Sequence, residues 1–176
     1  MASAPRPLAC RHPRATVISF LRIDSRLIHG QVVEAWLPGL KVERVVVADD
    51  EAAHSPLMRT AMGLAVPPEL EVDILPLRET PFPTFASDPV RTLLLLRDVQ
   101  ALLEARKLGL PRTRVNLGNV HHGPMRKPVS ASVFLNAEEM EQLKALHAEG
   151  WDVEARGVPS ERPVTFTEMV ERFRKG

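Results

Sequence analysis

The sequence predicts a single-domain α/β protein of three layers, in which helices cover both faces of a mainly parallel central β-sheet. Short apolar runs alternate with segments of helical periodicity, which is typical of βαβ units. Residues 93–96 are consecutive leucines, as expected for a strand buried on both faces. The length of 176 residues suits one domain, and 44% hydrophobic with 26% charged residues is a globular composition.

The individual elements follow from local patterns. Runs rich in apolar and β-branched residues predict strands over residues 17–23, 44–48, 72–77, 91–96, 114–117, 129–135 and 151–155. Apolar spacing and capping residues predict helices over residues 31–37, 51–66, 99–108 and 136–147, and from residue 165 onward. Proline-containing pairs at residues 38–39 and 67–68 should end the first two helices.

Composition excludes several classes of protein. A formal net charge of +1 provides no overall field that would attract nucleic acid. No apolar run approaches the roughly 18 residues of a membrane-spanning helix. Cys10 is the only cysteine, so an internal disulfide is excluded and a reducing, cytoplasmic location is expected. Residues 1–15 combine prolines and arginines without an acid or an apolar stretch, which predicts a disordered tail before a domain over residues 16–176.

Ligands of parallel sheets bind beyond the carboxyl ends of the strands. On the predicted order of elements, the loops at that edge are residues 24–30, 49–51 and 118–127. The first of them follows a strand, precedes a short helix and holds a histidine beside a glycine. The chemistry of the protein is therefore expected in this loop.

The residue types of the first loop suit phosphate chemistry. The neutral imidazole of His29 is a good nucleophile toward phosphorus, and Asp24 could accept from its other N–H and fix the tautomer. Gly30 allows close approach of a phosphate, and the helix starting near Gln31 offers unpaired N–H groups and a positive dipole end. Arg26 could hold two phosphate oxygens with its planar guanidinium.

The spacing of residues in this loop does not by itself distinguish a catalytic role of His29 from a structural one. A histidine next to a glycine is more often a surface or capping residue than a nucleophile. An isolated arginine is usually a solvated charge or the partner of an ion pair. The alternatives are a nucleophilic histidine and an ordinary loop residue.

The run Arg-Ile-Asp-Ser-Arg-Leu-Ile-His-Gly-Gln-Val at residues 22–32 strongly resembles the phosphorylation-site segment of IIB components of the mannose/fructose/sorbose family in the bacterial phosphotransferase system (PTS). The resemblance extends, in the same order, to residues 45–51, 67–68, 115–119 and 136–153. It implies an α/β sheet and a phosphoryl group carried on Nδ1 of a histidine in the first strand–helix loop. It also implies a IIA donor and a sugar held by membrane IIC and IID partners, and it requires no cofactor or metal.

Residue by residue, the resemblance assigns roles within the first loop. His29 matches the phosphorylated histidine, Arg26 matches the arginine that steadies the phosphoryl group, and Asp24 matches the first acid of the motif. Ser25 stands where the family usually has a second acid. From their residue types, Gly30 and Gln31 in this loop and Asn119 in the loop over residues 118–127 are expected to contact phosphate.

The other two loops supply further candidates. Asn119 could donate to a phosphate or a sugar, and His121 and His122 could assist or bind metal. Adjacent histidines on an extended backbone point in different directions, so we expect one buried and one solvated side chain rather than a shared metal. Asp49 and Asp50 match the family's loop after the second strand. Both also suit the start of a helix, and for Asp50 that interpretation is favoured.

The predicted function is that of a protein-Nπ-phosphohistidine–sugar phosphotransferase, which takes phosphate from IIA on His29 and passes it to a sugar entering through IIC and IID. One alternative is a regulatory phosphoprotein of an incomplete PTS without sugar transport. Another is a non-catalytic module that binds metal or a phosphosugar through His29, His121 and His122. The sequence leaves open which sugar is served and whether the chain forms homo-oligomers.

Overall fold

The structure is a computed structural model that describes residues 18–176. The predicted tail over residues 1–15 and the first two residues of the predicted domain lie outside the described residues.

The described chain alternates between strands and helices. The strands are β1 (Ile18–Asp24), β2 (Arg44–Ala48), β3 (Glu71–Leu75), β4 (Thr92–Leu96), β5 (Arg114–Asn119), β6 (Lys127–Pro128), β7 (Phe134–Leu135), β8 (Asp152–Ala155) and β9 (Val164–Thr165). The α-helices are α1 (Leu37–Leu40), α2 (Asp50–His54), α3 (Pro56–Ala65), α4 (Phe82–Ser87), α5 (Val99–Lys107), α6 (Ala137–Ala148) and α7 (Phe166–Lys175). A π-helix (Gln31–Trp36) precedes α1, and a 3-10 turn (Leu77–Glu79) follows β3.

The central sheet has seven strands in the order β3-β2-β4-β1-β5-β8-β9. All neighbouring strands are parallel except β9, which runs antiparallel to β8. Strands β6 and β7 form a separate two-stranded antiparallel ribbon. The predicted mainly parallel sheet is confirmed, and β1 lies at its middle, between β4 and β5.

Apolar side chains form a core on each face of the sheet. In β2, Val46 packs in one core and Val45 in the other; in β4, Leu94 and Leu93 divide in the same way. This alternation is the two-residue period of a strand that is covered on both sides. Helices α4, α5, α6 and α7 contribute to one core, while the π-helix, α1, α2 and α3 contribute to the other. The predicted three-layer architecture is therefore confirmed.

Proline explains two differences from the predicted helices. The helix predicted over residues 51–66 is divided into α2 and α3 at Ser55, which has an extended backbone (φ −98°, ψ 107°) because Pro56 disfavours helical geometry in the residue before it. The prediction that residues 38–39 end the first helix is wrong. Pro38 lies in the first turn of α1, where a missing N–H is tolerated, and the helix continues to Leu40.

Two strand predictions also needed correction. Of the strand predicted over residues 129–135, only Phe134–Leu135 forms a strand, β7. Residues 129–133 form a tight connection from β6 to β7, in which Val129 N–H donates to Val133 O at 2.9 Å. The strand predicted over residues 151–155 is not the last. Residues Val164 and Thr165 add β9 at the sheet edge, immediately before the helix that Thr165 caps.

Among residues 18–176, no helix has both the length and the apolar character needed to cross a membrane.

The capping box predicted at the start of α6 is present, and it generates a stability prediction. Asn136 Oδ1 accepts from Glu139 N–H at 2.8 Å, and Glu139 Oε2 accepts from Asn136 N–H at 2.9 Å. Asn136→Ala should lower the free energy of unfolding by about 1 kcal/mol, measured by urea denaturation. The exposed Glu141→Ala on the same helix should change it by less than about 0.5 kcal/mol. Equal effects of the two substitutions would contradict this account of the cap.

Candidate functional site

The loop after β1 is shaped by Asp24, which is fully buried. Its backbone carbonyl accepts from Leu27 N–H at 2.9 Å, and its Oδ1 accepts from Arg26 N–H at 3.0 Å. Leu27 adopts a positive φ of 57°, an uncommon conformation for a branched residue, yet its side chain is 1% exposed. Leu27 and Ile28 pack into the core beneath the loop, so burial holds the turn in place and presents His29 beyond it.

His29 lies against the same aspartate. Its Nε2 is 3.0 Å from Asp24 Oδ2, and its side chain is 8% exposed. An ionised carboxylate accepts hydrogen bonds and donates none, so this contact fits the tautomer with the proton on Nε2 and the free electron pair on Nδ1. In that tautomer, Nδ1 is the ring nitrogen with an electron pair available for a nucleophilic attack.

A buried arginine, Arg22, neutralises the charge of Asp24. Arg22 Nε and Nη2 donate to Asp24 Oδ2 at 3.1 and 2.9 Å, and both side chains are fully buried. Burial lowers the pKa of the Arg22 guanidinium from its ordinary value, while Asp24 opposes that change. No role for Arg22 was predicted from the sequence. The signal for such a role is a charged residue between Leu21 and Ile23, within a largely apolar strand.

The predicted phosphate-binding residues lie in the loop after β1, at the start of the π-helix and at the end of β5. Gly30 is exposed and precedes the π-helix, and Gln31 Oε1 lies 3.5 Å from Arg22 Nη2. Arg26 is exposed, three residues before His29. The Asn119 carbonyl accepts from Ser25 N–H at 2.8 Å and from Ser25 Oγ at 3.0 Å. The loops after β1 and β5 are thereby joined, as their positions on neighbouring strands predict.

The expectation of one buried and one solvated histidine is wrong, because His121 and His122 are both exposed. Val120, directly after β5, is buried. The chain that follows it is irregular, so its side chains do not alternate between buried and exposed as they would in a strand. The His122 ring packs edge-on against Phe134 at 5.2 Å. Both histidines line a hollow of about 270 Å³ with Ser25, Arg97, Asp98, Val120 and Arg126. Within residues 18–176, no group of three or more His, Cys, Asp or Glu is arranged to hold a metal ion.

Asp49 is placed at the end of β2, which β4 separates from β1. It caps α2, with Oδ1 accepting from Ala52 N–H at 2.8 Å, and Arg97 Nε and Nη2 donate to it at 2.6 and 2.7 Å. Burial by itself raises the pKa of the Asp49 carboxyl, but the hydrogen bonds from Arg97 and Ala52 outweigh it and lower that pKa. Asp50 accepts from Leu77 N–H at 2.8 Å, again a structural contact.

Arg97 is a second charged residue of this edge that was not predicted from the sequence. It directly follows β4 at the same edge of the sheet, but the loop after β4 was not among those selected. Besides Asp49, its Nη2 lies 3.1 Å from Glu51 Oε2. The position was predictable, because every parallel strand ends at this edge and β4 lies next to β1.

Fold and site together define an open parallel α/β protein that presents a carboxylate-bound histidine in the loop after its central strand. The family model for the sorbose-subfamily IIB component of the PTS matches residues 18–175. The chain therefore belongs to this family of PTS IIB components.

Two curated relatives show the extent of the similarity. The PTS mannose-specific EIIAB component of Escherichia coli K12 is 29% identical over 181 residues, covering 98% of this chain and 54% of the relative. This chain thus spans about half the length of that protein. The N-acetylgalactosamine-specific phosphotransferase enzyme IIB component 2 of the same strain is 29% identical over 150 residues, covering 85% of this chain and 96% of the relative.

Solved structures share the fold. A crystal structure of manxB from Thermoanaerobacter tengcongensis superimposes with a TM-score of 0.80 at 30% identity, covering 90% of this chain and 99% of the other. The IIBSor domain of the sorbose permease from Klebsiella pneumoniae gives a TM-score of 0.76 at 24% identity, with 87% and 96% coverage. The second similarity supports the fold alone.

The pairing of Asp49 with Arg97 generates a pH prediction. Arg97→Met should lower the free energy of unfolding at pH 7 by about 1–2 kcal/mol, a value reduced by the partial exposure of the guanidinium. Because the pKa of Asp49 is lowered in the folded protein, this stabilisation is complete above the ordinary aspartate pKa of about 4. It should disappear as the pH falls through the lowered value.

Urea denaturation of wild type and variant between pH 7 and pH 2 measures this difference. Arg78→Met is the control, because Arg78 lines a neighbouring hollow but its side chain is 79% exposed. A wild-type advantage over Arg97→Met that stays constant down to pH 2 would contradict the assigned ionisation.

Proposed function

We propose that the chain is a phosphoryl carrier of a sugar PTS, in which His29 accepts a phosphoryl group from a IIA donor and passes it to a sugar held by IIC and IID. The observation that carries the proposal is the contact between His29 Nε2 and Asp24, which leaves Nδ1 as the free nucleophile at the carboxyl edge of the sheet. Family membership over residues 18–175 supports it.

In the receiving step, the Nδ1 electron pair of His29 attacks the phosphorus of the donor phosphohistidine. The new N–P bond forms as the donor's N–P bond breaks, and the electron pair of that bond returns to the donor ring. The His29 ring keeps its Nε2 proton and gains positive character, which the Asp24 carboxylate at 3.0 Å stabilises.

In the delivery step, a sugar hydroxyl attacks the phosphorus, and the N–P electron pair returns to Nδ1. The ring leaves as neutral imidazole because Nε2 has kept its proton, and the hydroxyl proton passes to a base on the acceptor side. A neutral ring is a far better leaving group than an imidazolate. Asp24 therefore assists both transfers by holding one proton in one place.

The transferred group needs positive partners. Arg26 is exposed three residues before His29, and its guanidinium fork matches two phosphate oxygens. Gly30 is the N-cap of the helical segment at residues 31–40, in which Val32 and Val33 N–H donate to His29 O at 2.9 and 3.0 Å. Gly30, Gln31 and Asn119 are proposed as further contacts of the phosphoryl group. Nothing in this transfer requires a metal, because the phosphoryl group arrives on a histidine rather than as a nucleotide.

The acceptor is proposed as a sugar without further specification. Relatives of 22–29% identity carry names that specify mannose, N-acetylgalactosamine, sorbose and fructose. The proposed setting is the cytoplasmic side of a membrane that holds IIC and IID. His121 and His122, exposed beside the Ser25 loop, are proposed to line the approach to His29.

Phosphate labelling tests the proposed nucleophile. Incubation with phosphoenolpyruvate, the general PTS proteins and a cognate IIA should place one acid-labile, alkali-stable phosphate on His29. His29→Ala should abolish the label because Nδ1 is lost. The exposed His54→Ala should retain it, since the contact of that ring is with Asp50 O in its own helix. Peptide mapping of the label to His121 or His122 would overturn the assignment.

Arg26 tests the proposed stabilisation of the phosphoryl group. Arg26→Lys should preserve folding and slow transfer by roughly 30- to 1000-fold, corresponding to about 2–4 kcal/mol of transition-state stabilisation. Rapid-quench measurement of transfer from labelled IIA gives the rate. Arg174→Lys, an exposed arginine on α7, is the matched control and should transfer normally. Wild-type rates for a folded Arg26→Ala variant would remove Arg26 from the mechanism.

A further inference from the structure

We propose that Arg22 is a positioning residue for His29: it fixes the orientation of Asp24 and thereby fixes the proton on Nε2 and the free electron pair on Nδ1. This inference rests on the proposed function, in which Nδ1 receives the phosphoryl group. Arg22 itself is fully buried and donates its hydrogen bonds to protein groups, so its action on His29 passes through Asp24.

The carboxylate of Asp24 has a different partner for each oxygen. Oδ1 accepts from the backbone N–H of Arg26, and Oδ2 accepts from Arg22 and faces His29 Nε2. Rotation of the carboxylate would break the contacts at both oxygens. The acceptor for the imidazole proton is therefore held at one position before any phosphoryl group arrives.

The guanidinium of Arg22 is itself fixed by four further acceptors. Nη1 donates to Asn116 Oδ1 at 2.7 Å and to Arg156 O at 3.2 Å. Nη2 donates to Gly157 O at 3.2 Å and lies 3.5 Å from Gln31 Oε1. These acceptors come from β5, from the chain after β8 and from the π-helix. Three separate segments therefore determine where the guanidinium lies.

Trp36, at the end of the π-helix, contacts both Arg22 and one of its acceptors. Its ring lies 5.2 Å from Arg22 Cζ, and its Nε1–H donates to Gly157 O at 2.8 Å. Gly157 O thus accepts from both Arg22 and Trp36. The helix that follows His29 and the loop after β8 are tied to the same carbonyl.

Gly118 provides the space that this position of Arg22 requires. A Cβ at residue 118 would lie 1.8 Å from Arg22 Cζ and 2.1 Å from each terminal nitrogen. Any side chain there must displace the guanidinium. Gly118→Ala therefore moves the Arg22 head group without removing its charge, and it provides a second, independent way to test the proposal.

The test measures the His29 ring directly by ¹⁵N NMR of unphosphorylated protein with labelled histidine, together with the rate of phosphorylation by IIA. In wild type, the neutral His29 ring should carry its proton on Nε2. Arg22→Lys and Gly118→Ala should each increase the Nδ1–H tautomer and slow phosphorylation by on the order of 10- to 100-fold.

Matched controls separate positioning from general stability. Arg44 is 8% exposed, lies 2.8 Å from Asp88 and stacks on Phe85, but it starts β2 at the opposite edge of the sheet. Arg44→Lys should lower stability and leave the His29 tautomer and transfer rate unchanged. Gly63→Ala, where an added Cβ meets no atom within 4 Å, is the control for the glycine substitution.

The outcomes are distinct. An Nδ1–H tautomer in wild type, or a folded Gly118→Ala variant with wild-type tautomer and rate, would overturn the positioning role of Arg22. If Arg22→Lys does not fold, the Gly118→Ala and wild-type measurements still decide. Absence of phosphate on wild-type His29 would overturn the proposed function instead, and it is observed separately because the ring is measured without phosphate.

Discussion

The site depends on one buried ion pair at the centre of the sheet. Arg22 and Asp24 lie two residues apart on β1, both fully buried, with Nη2 and Oδ2 at 2.9 Å. Burying either charge alone would be strongly unfavourable, and removal of one partner from such a pair typically costs about 3–5 kcal/mol. The pair is tolerated because its remaining hydrogen-bonding groups are used: Asp24 faces Arg26 N–H and His29, and Arg22 reaches carbonyls across the sheet.

The position of β1 explains why this pair organises a site. Because β1 lies between β4 and β5, the loops after all three strands lie at the same edge of the sheet as His29. The backbone of Asn119 anchors Ser25 from one side, whereas Arg97 follows β4 and is held by Asp49. The strand ends thus fix the position of His29, and Arg26, His121 and His122 are exposed at the same edge of the sheet.

Prediction from the sequence succeeded where local rules act. Strand β2 is found over its predicted residues. The capping residues Asn136 and Thr165 begin helices α6 and α7 as predicted. Prediction failed where the role of a residue depends on neighbours that are distant in the sequence. The role of Arg22 depends on Gly118 and on carbonyls more than 130 positions away, which no local pattern records. The contact of His29 with Asp24 was anticipated because both lie in one short loop, and the exposure of both His121 and His122 was not.

The most direct test of the account is the identity of the phosphorylated nitrogen. NMR of the ¹⁵N-histidine-labelled, phosphorylated protein resolves phosphorus bonded to Nδ1 from phosphorus bonded to Nε2. Since Nε2 faces Asp24 Oδ2 at 3.0 Å, the account predicts a single phosphoramidate at Nδ1 of His29, with the proton retained on Nε2. Phosphorus on Nε2 of His29, or on any other histidine, would contradict it.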